Sequence, residues 1–159
     1  MSHIDSLIND LCPNGVYYKS LSEVAIVGTG SSNRNESTGT GAYPFYVRSK
    51  TVFLTDEFEF DEEAIIIPGE GGIGEIFHYV NGKYALHQRA YRINVHAIEL
   101  QTKFVLYYMK SSFKKFILTK AVSATVTSIR KPMILDFKVP VPPMEVQKEI
   151  VAFLTPSQS

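Results

Sequence analysis

Residues 121–150 read AVSATVTSIRKPMILDFKVPVPPMEVQKEI, and they divide into three parts in fixed order. Small hydroxyl residues, among them Ser123, Thr125, Thr127 and Ser128, lead to the two bases Arg130 and Lys131. An extended Phe137-Lys138-Val139-Pro140-Val141 follows, and Pro142-Pro143 then opens a helix. Proline suits that place because the first helical amides have no carbonyl partner anyway, and Glu145 suits the positive end of the dipole. A folded body therefore closes here and a helix leaves it. The hydroxyls and bases ahead of the strand suit phosphate contacts that position a duplex without reading it. An ST-turn leading into a short helix would have the same sequence.

Upstream, TKFVLYYMKSSFKKFILTK (102–120) has Phe104, Val105, Tyr108, Met109, Phe113, Phe116 and Ile117 on one helical face, which predicts a helix packed on a core. Between Ile76 and Ile93, Asn81-Gly82 stands among alternating apolar residues, the pattern of a type I′ hairpin. That register sets Val80 opposite Lys83, His78 opposite Ala85 and Ile76 opposite His87, leaving Lys83, His87 and Arg89 on the face away from the aromatic residues. His78 and His87 share that face without a cysteine or carboxylate nearby, so hydrogen-bonded histidines are expected rather than zinc ligands. Ala64–Ile67 reads as a buried strand, and Gly69-Glu70-Gly71-Gly72-Ile73-Gly74 as a corner needing positive φ.

Tyr43–Ser49 alternates as a strand ending at Arg48, Ser49 and Lys50, and GTGSSNRNESTGTG (28–41) is a surface loop from which Asn33, Arg34 and Asn35 can reach a base edge or phosphate. It lacks the lysine and spacing of a P-loop. At the start, Ile4, Leu7, Ile8 and Leu11 predict a helix stopped by Pro13-Asn14-Gly15. An extended Val16–Lys19, a short turn and a buried strand Val24–Val27 come next.

The formal net charge is zero, but it is unevenly placed. Residues 56–75 hold eight acids and no base, whereas residues 76–138 hold eleven bases and two acids. Such asymmetry is able to create one phosphate-facing surface, although the lysines of 102–120 equally suit a solvated helix face. The acidic segment Thr55–Glu63 repels phosphate and reads as a solvated face or a docking surface for a basic partner. Asp136-Phe137-Lys138 has half of a metal-dependent nuclease signature, but the nearest upstream acid is Glu99. No Asn/Asp-Pro-Pro-Tyr/Phe methyltransferase stretch occurs, because 139–144 reads VPVPPM. The chain is therefore expected to be non-catalytic, with no cofactor and no metal. A single cysteine, Cys12, no long apolar run and no signal sequence make a soluble cytoplasmic protein the expectation.

The VPVPPMEVQKEIV junction (139–151), together with CPNGVYYKSLSEVA (12–25), YVRSKTV (46–52), IIIPGEGGIGEIF (65–77) and YALHQRAYRI (84–93), resembles the target recognition domain of type I restriction-modification DNA specificity subunits. The resemblance covers nearly the whole chain. It implies an α/β (α+β) fold, a mixed twisted β-sheet with a packed helix. Residues 1–142 would be the recognition domain and 143–159 the truncated start of the coiled-coil spacer helix. It also implies that the incoming segment lies beside the outgoing helix.

From the resemblance, Arg48, Ser49 and Lys50 lie near a bound duplex, and the backbone amides at Gly71 and Gly72 come within reach of a phosphate. His87-Gln88-Arg89 resembles a motif shared by relatives that read different sequences, so it organises the sheet or holds the backbone. Base readout is expected from 29–43, 48–56 and 121–130. The stripe Val146, Ile150 and Leu154 is expected to dock on a partner or on the N-terminal helix. The implied function is recognition of one half of a bipartite double-stranded DNA target, with separate methyltransferase and restriction subunits doing the chemistry. With one recognition domain and a short helix, the chain reads as a fragment, a truncated product or a half-subunit that pairs with a second one; the competing reading is an assembly module without DNA affinity.

Overall fold

A computed structural model of the chain describes residues 3–33, 40–120 and 127–156. Helix α1 (His3–Leu11) leads to β1 (Tyr17–Ser20), the short α2 (Leu21–Val24) and β2 (Ala25–Thr29). Strands β3 (Tyr43–Tyr46), β4 (Val52–Thr55), β5 (Phe60–Pro68), β6 (His78–Leu86) and β7 (Ala90–Val95) follow. The chain continues through α3 (Thr102–Lys120), α4 (Lys131–Leu135), β8 (Lys138–Val141) and α5 (Met144–Leu154). Six strands form one mixed sheet in the order β2-β7-β5-β6-β3-β4, with β3 parallel to β6 and the other neighbours antiparallel. This is the expected α+β class.

The apolar run in β5 is continuous because that strand lies between two neighbours and is covered on both faces. Ile65 and Ile67 point to the main core with Ile93 and the buried face of α3, while Ala64 and Ile66 point to a second core with Val80, Tyr84, Leu86 and Ala90. Helix α3 has the predicted bounds, and Phe104, Val105, Tyr108, Met109, Phe113 and Ile117 are buried. The strands β1 and β8 pair antiparallel, and α1 touches α5, so the incoming segment does lie beside the outgoing helix.

The Asn81-Gly82 hairpin does not form. Strand β6 runs straight through those residues and pairs with β5 from Ile66↔His78 to Phe60↔Tyr84, with Asn81 opposite Glu63 and Gly82 opposite Glu62. A type I′ turn needs positive φ at both central residues. Only Gly82 has it, at 137°, and no described non-glycine residue does. The long ladder with β5 outweighs the local turn preference. Lys83 therefore shares a strand face with Tyr79 and Ala85 rather than with His78, and none of the three predicted cross-strand pairs exists.

Nor is the acidic run simply a solvated face. Glu59 accepts hydrogen bonds from the Ser31 amide and hydroxyl at 3.2 and 2.8 Å. The Glu63 carboxylate accepts from the Tyr79 hydroxyl. Three of the eleven bases in 76–138 pair with acids of 56–75: Arg92 with Glu62 at 2.8 Å, Arg89 with Glu70 at 2.8 Å and Lys114 with Glu75 at 2.5 Å. Part of the charge asymmetry along the chain is thus complementarity within the fold.

Candidate nucleic-acid interface

Five segments distant in sequence are joined by backbone hydrogen bonds. Ser32 bridges His87, and its carbonyl accepts from the Gln88 amide at 2.8 Å. The His87 amide donates to the Tyr46 carbonyl at 2.9 Å, which fixes the end of β3 beside the turn after β6. The Gly69 amide donates to the Arg89 carbonyl at 2.9 Å. The Gly71 amide reaches the Thr127 carbonyl at 3.1 Å, and the Ile129 amide reaches the Gly69 carbonyl at 3.0 Å. Ile129 is buried in the main core and anchors its neighbours Ser128 and Arg130 at the surface. Residues 31–33, 46–50, 69–72, 86–90 and 127–130 thereby become one surface.

The glycines of this surface have distinct reasons. Gly71 and Gly74 have φ of +67° and +79°, a region that disfavours side chains, and a Cβ on Gly74 would lie 2.4 Å from Lys114 Cβ. The loop is thus held between the 127–129 segment and α3.

At the centre, the Glu70 carboxylate bridges two guanidinium groups. Its Oε2 accepts from Arg48 Nη1 at 2.9 Å and its Oε1 from Arg89 Nη1 at 2.8 Å. An open cleft of about 320 Å³ beside them is lined by Val47, Arg48, Ser49, Glu70 and His87. His87 is 8% exposed, and its Nδ1 accepts from the Arg89 amide at 3.0 Å. Burial, then the charges of Arg48 and Arg89, hold its imidazole below the ordinary histidine range, against a smaller upward pull from Glu70. The neutral ring keeps its Nδ1 lone pair for that amide. His78 Nε2 donates to the Ser49 carbonyl at 2.8 Å, which orders the residue after Arg48.

A family model described as the type I restriction modification DNA specificity domain matches residues 13–159. The chain belongs to that family. The specificity subunit of the Escherichia coli EcoDI type I restriction enzyme is 30% identical over 122 residues, covering 77% of this chain and 26% of that protein. The chain thus spans about a quarter of the curated relative's length. The S subunit of a type I restriction-modification system from M. genitalium superposes with a TM-score of 0.71 at 17% identity, over 95% of this chain and 41% of that one. The HsdS subunit of Thermoanaerobacter tengcongensis gives 0.67 at 16% identity, over 95% and 41%. At such identities the likeness is one of fold.

Within this specificity domain, the candidate residues divide clearly. Asn33, Arg48, Ser49, Gly71, Gly72, His87, Gln88, Arg89, Thr127, Ser128 and Arg130 belong to the joined segments. Lys50 follows Ser49, near enough to Glu75 to help hold that carboxyl below its usual range, after the larger effect of Lys114. Lys131 is exposed as the first residue of α4. Lys83 stands apart, opposite Asp61 and 4.9 Å from the centroid of the Phe58 ring. Arg34, Asn35, Ser123 and Thr125 lie outside the described residues.

The helical stripe is largely taken up by the chain's own core. Ile150 is 1% exposed, and Val146 and Leu154 are half-buried against the same cluster, where α5 meets α1 and α3. The helix carrying it packs against the N-terminal helix, one of the dockings expected, and against α3 as well. Two residues were missed. Glu70 stands in a corner read for its glycines, and nothing beside it in sequence points to the two arginines. Gln147, wholly buried, accepts from the Gln101 amide at 2.8 Å and donates to the Glu99 and Pro142 carbonyls at 2.7 and 2.9 Å. Its spacing from Ile150, Val151 and Leu154 was the signal, since positions three, four and seven apart share a helix face. Among the described residues no group of three or more His, Cys, Asp or Glu is placed to hold a metal ion. No described helix is long and apolar enough to cross a membrane.

Proposed function

We propose that this chain recognises double-stranded DNA and supplies one half of a bipartite target to a type I restriction-modification assembly, without catalysing a reaction itself. The observation that carries the reading is the convergence of 31–33, 46–50, 69–72, 86–90 and 127–130 on one surface with Arg48 and Arg89 at its centre. Arg48, Lys50, Arg130 and Lys131 hold phosphates and set register, while Asn33, Gln88 and the hydroxyls of Thr127 and Ser128 face base edges. Lys83 is left out of this surface.

Residues up to 142 form the recognition body, and the helix after it carries the module into the assembly of methyltransferase and restriction subunits, or onto a second specificity half. Because the stripe of α5 packs inward, contact with those partners falls to its outer side, where Phe153 is 64% exposed.

In vitro selection from a random duplex library tests the reading. Enrichment of a short motif is expected, with an affinity whose logarithm falls against log salt by about 0.9 per phosphate neutralised. Arg48→Ala should flatten that slope by about one contact, whereas Lys83→Ala should leave it unchanged. A selection that enriches nothing, with binding indifferent to salt, would leave the assembly-module reading in its place.

A further inference from the structure

We propose that Arg48 and Arg89 form a two-pronged site for a single phosphate group, and that Glu70 fills it in the free protein as an internal competitor. The identity of the phosphate as a DNA phosphodiester rests on the reading above; the anion site itself does not.

Each guanidinium donates to a different carboxylate oxygen, Arg48 Nη1 to Oε2 at 2.9 Å and Arg89 Nη1 to Oε1 at 2.8 Å. A phosphodiester likewise offers two charged oxygens on one atom, and each can accept a charge-assisted hydrogen bond from its own guanidinium. All three side chains reach solvent, with Arg48 and Glu70 42% exposed and Arg89 56%. An incoming phosphate therefore meets the site without opening the fold. Exposed ion pairs of this kind contribute little to folding, so holding the body together does not account for them.

The backbone decides what moves. Glu70 is pinned on both sides, by Gly69 to the Arg89 and Ile129 backbones and by Gly71 to the Thr127 carbonyl, and it bridges Ser128 itself. Arg89 is held through its carbonyl, and Arg48 follows the end of β3, which is tied to His87. The three backbones are thus fixed relative to one another, so when the Glu70 side chain swings away the two arginines still issue from neighbouring points and reach one anion together. His87 beside them is neutral at neutral pH, so displacement of the carboxylate raises the local charge from one positive unit to two. Glu70 thus sets one fixed cost on every ligand that uses the two arginines.

The test is Glu70→Gln, which keeps the side chain's size and removes its charge, read with two probes. The first is inorganic phosphate, titrated while the arginine side-chain and His87 ring signals are followed by NMR. The second is a random-sequence duplex followed by fluorescence anisotropy. Phosphate should bind about tenfold more tightly to the variant, the scale of one competing charged hydrogen-bonded partner removed. The random duplex should tighten by a similar factor, and both gains should vanish in Arg48→Ala/Glu70→Gln. Equal phosphate affinity in the wild type and Glu70→Gln overturns the inference whatever the duplex does, and so does a gain that survives loss of Arg48. Tighter phosphate binding with no duplex binding by either protein upholds the anion site and removes the DNA reading instead.

Discussion

Arg92 on β7 sets its Nη1 2.8 and 2.9 Å from the two carboxylate oxygens of Glu62 on β5. Both side chains are less than one-fifth exposed, at 17% and 18%. The guanidinium lies 4.4 Å from the Phe60 ring centroid, and the Tyr84 hydroxyl donates to Glu62 Oε2 at 2.6 Å. Burial, and then Glu62, push the Tyr84 phenol far above its ordinary range, so it stays a donor. Arg92→Ala strands a shielded carboxylate and should destabilise the fold by about 3 kcal/mol in urea denaturation. Glu62→Ala/Arg92→Ala should be less costly than the two single changes added, by about 1–3 kcal/mol. Strict additivity would show that the pair does not act as a unit.

Gln147 ties the start of α5 to the segment before α3 through two hydrogen bonds, and a third holds the Pro142 carbonyl ahead of its own helix. Gln147→Leu fills the space but leaves the Gln101 amide and two carbonyls unpaired. A loss of about 2–4 kcal/mol is expected. Amide exchange should quicken first at Gln101, ahead of the sheet; a uniform change across the protein would count against a local clamp.

Two glycines of the 69–74 loop separate conformation from crowding. Gly71→Ala meets nothing within 4 Å, so only its φ of +67° opposes the new methyl group, at about 1–2 kcal/mol. Gly74→Ala adds a clash 2.8 Å from Lys114 Cα, and its loss should be larger by about 1–3 kcal/mol. Thermal or urea unfolding of the two variants side by side gives the difference. Equal losses would mean that α3 gives way at no cost.

His87 titrates lower in the fold than free, by burial first and by Arg48 and Arg89 next. As pH falls through about 6.5, the unfolded chain takes up a proton that the native ring refuses, so stability declines toward acid until the native ring also protonates. Substituting His87→Gln removes that contribution. The stability gap between wild type and variant should therefore shrink as urea midpoints are measured from about pH 8 down to about pH 5. A gap constant with pH would rule the histidine out as its source.

The elements legible in the sequence are those whose evidence is local. Helix α3 declared itself by a long apolar face, β5 by four consecutive apolar residues, and α1 by spacing and a proline stop. Asn81-Gly82 misled because its local turn preference competes with seven pairs to a strand elsewhere in the chain. A count of the bases of 76–138 likewise does not show that Arg89, Arg92 and Lys114 each answer to an acid far away in sequence. Most of the candidate surface was nevertheless visible as short motifs. The bridge at its centre was not, because nothing local to Glu70 signals two arginines brought to it from the segment after β3 and from the turn after β6.

Strands β1 and β8 pair over Tyr17↔Val141 to Ser20↔Lys138, so the chain departs within one ladder of where it arrived. All that lies between, the arginine pair and glycine loop included, is an excursion from a two-stranded stalk. Recombination at the stalk would transplant the six-stranded body whole, and the recipient would have to supply the ribbon together with helices that fill the places of Ile4, Ile8 and Ile150 in the shared core. Chimeras joined within β1 and β8 should fold, and those joined inside β5, with neighbours on both sides, should not.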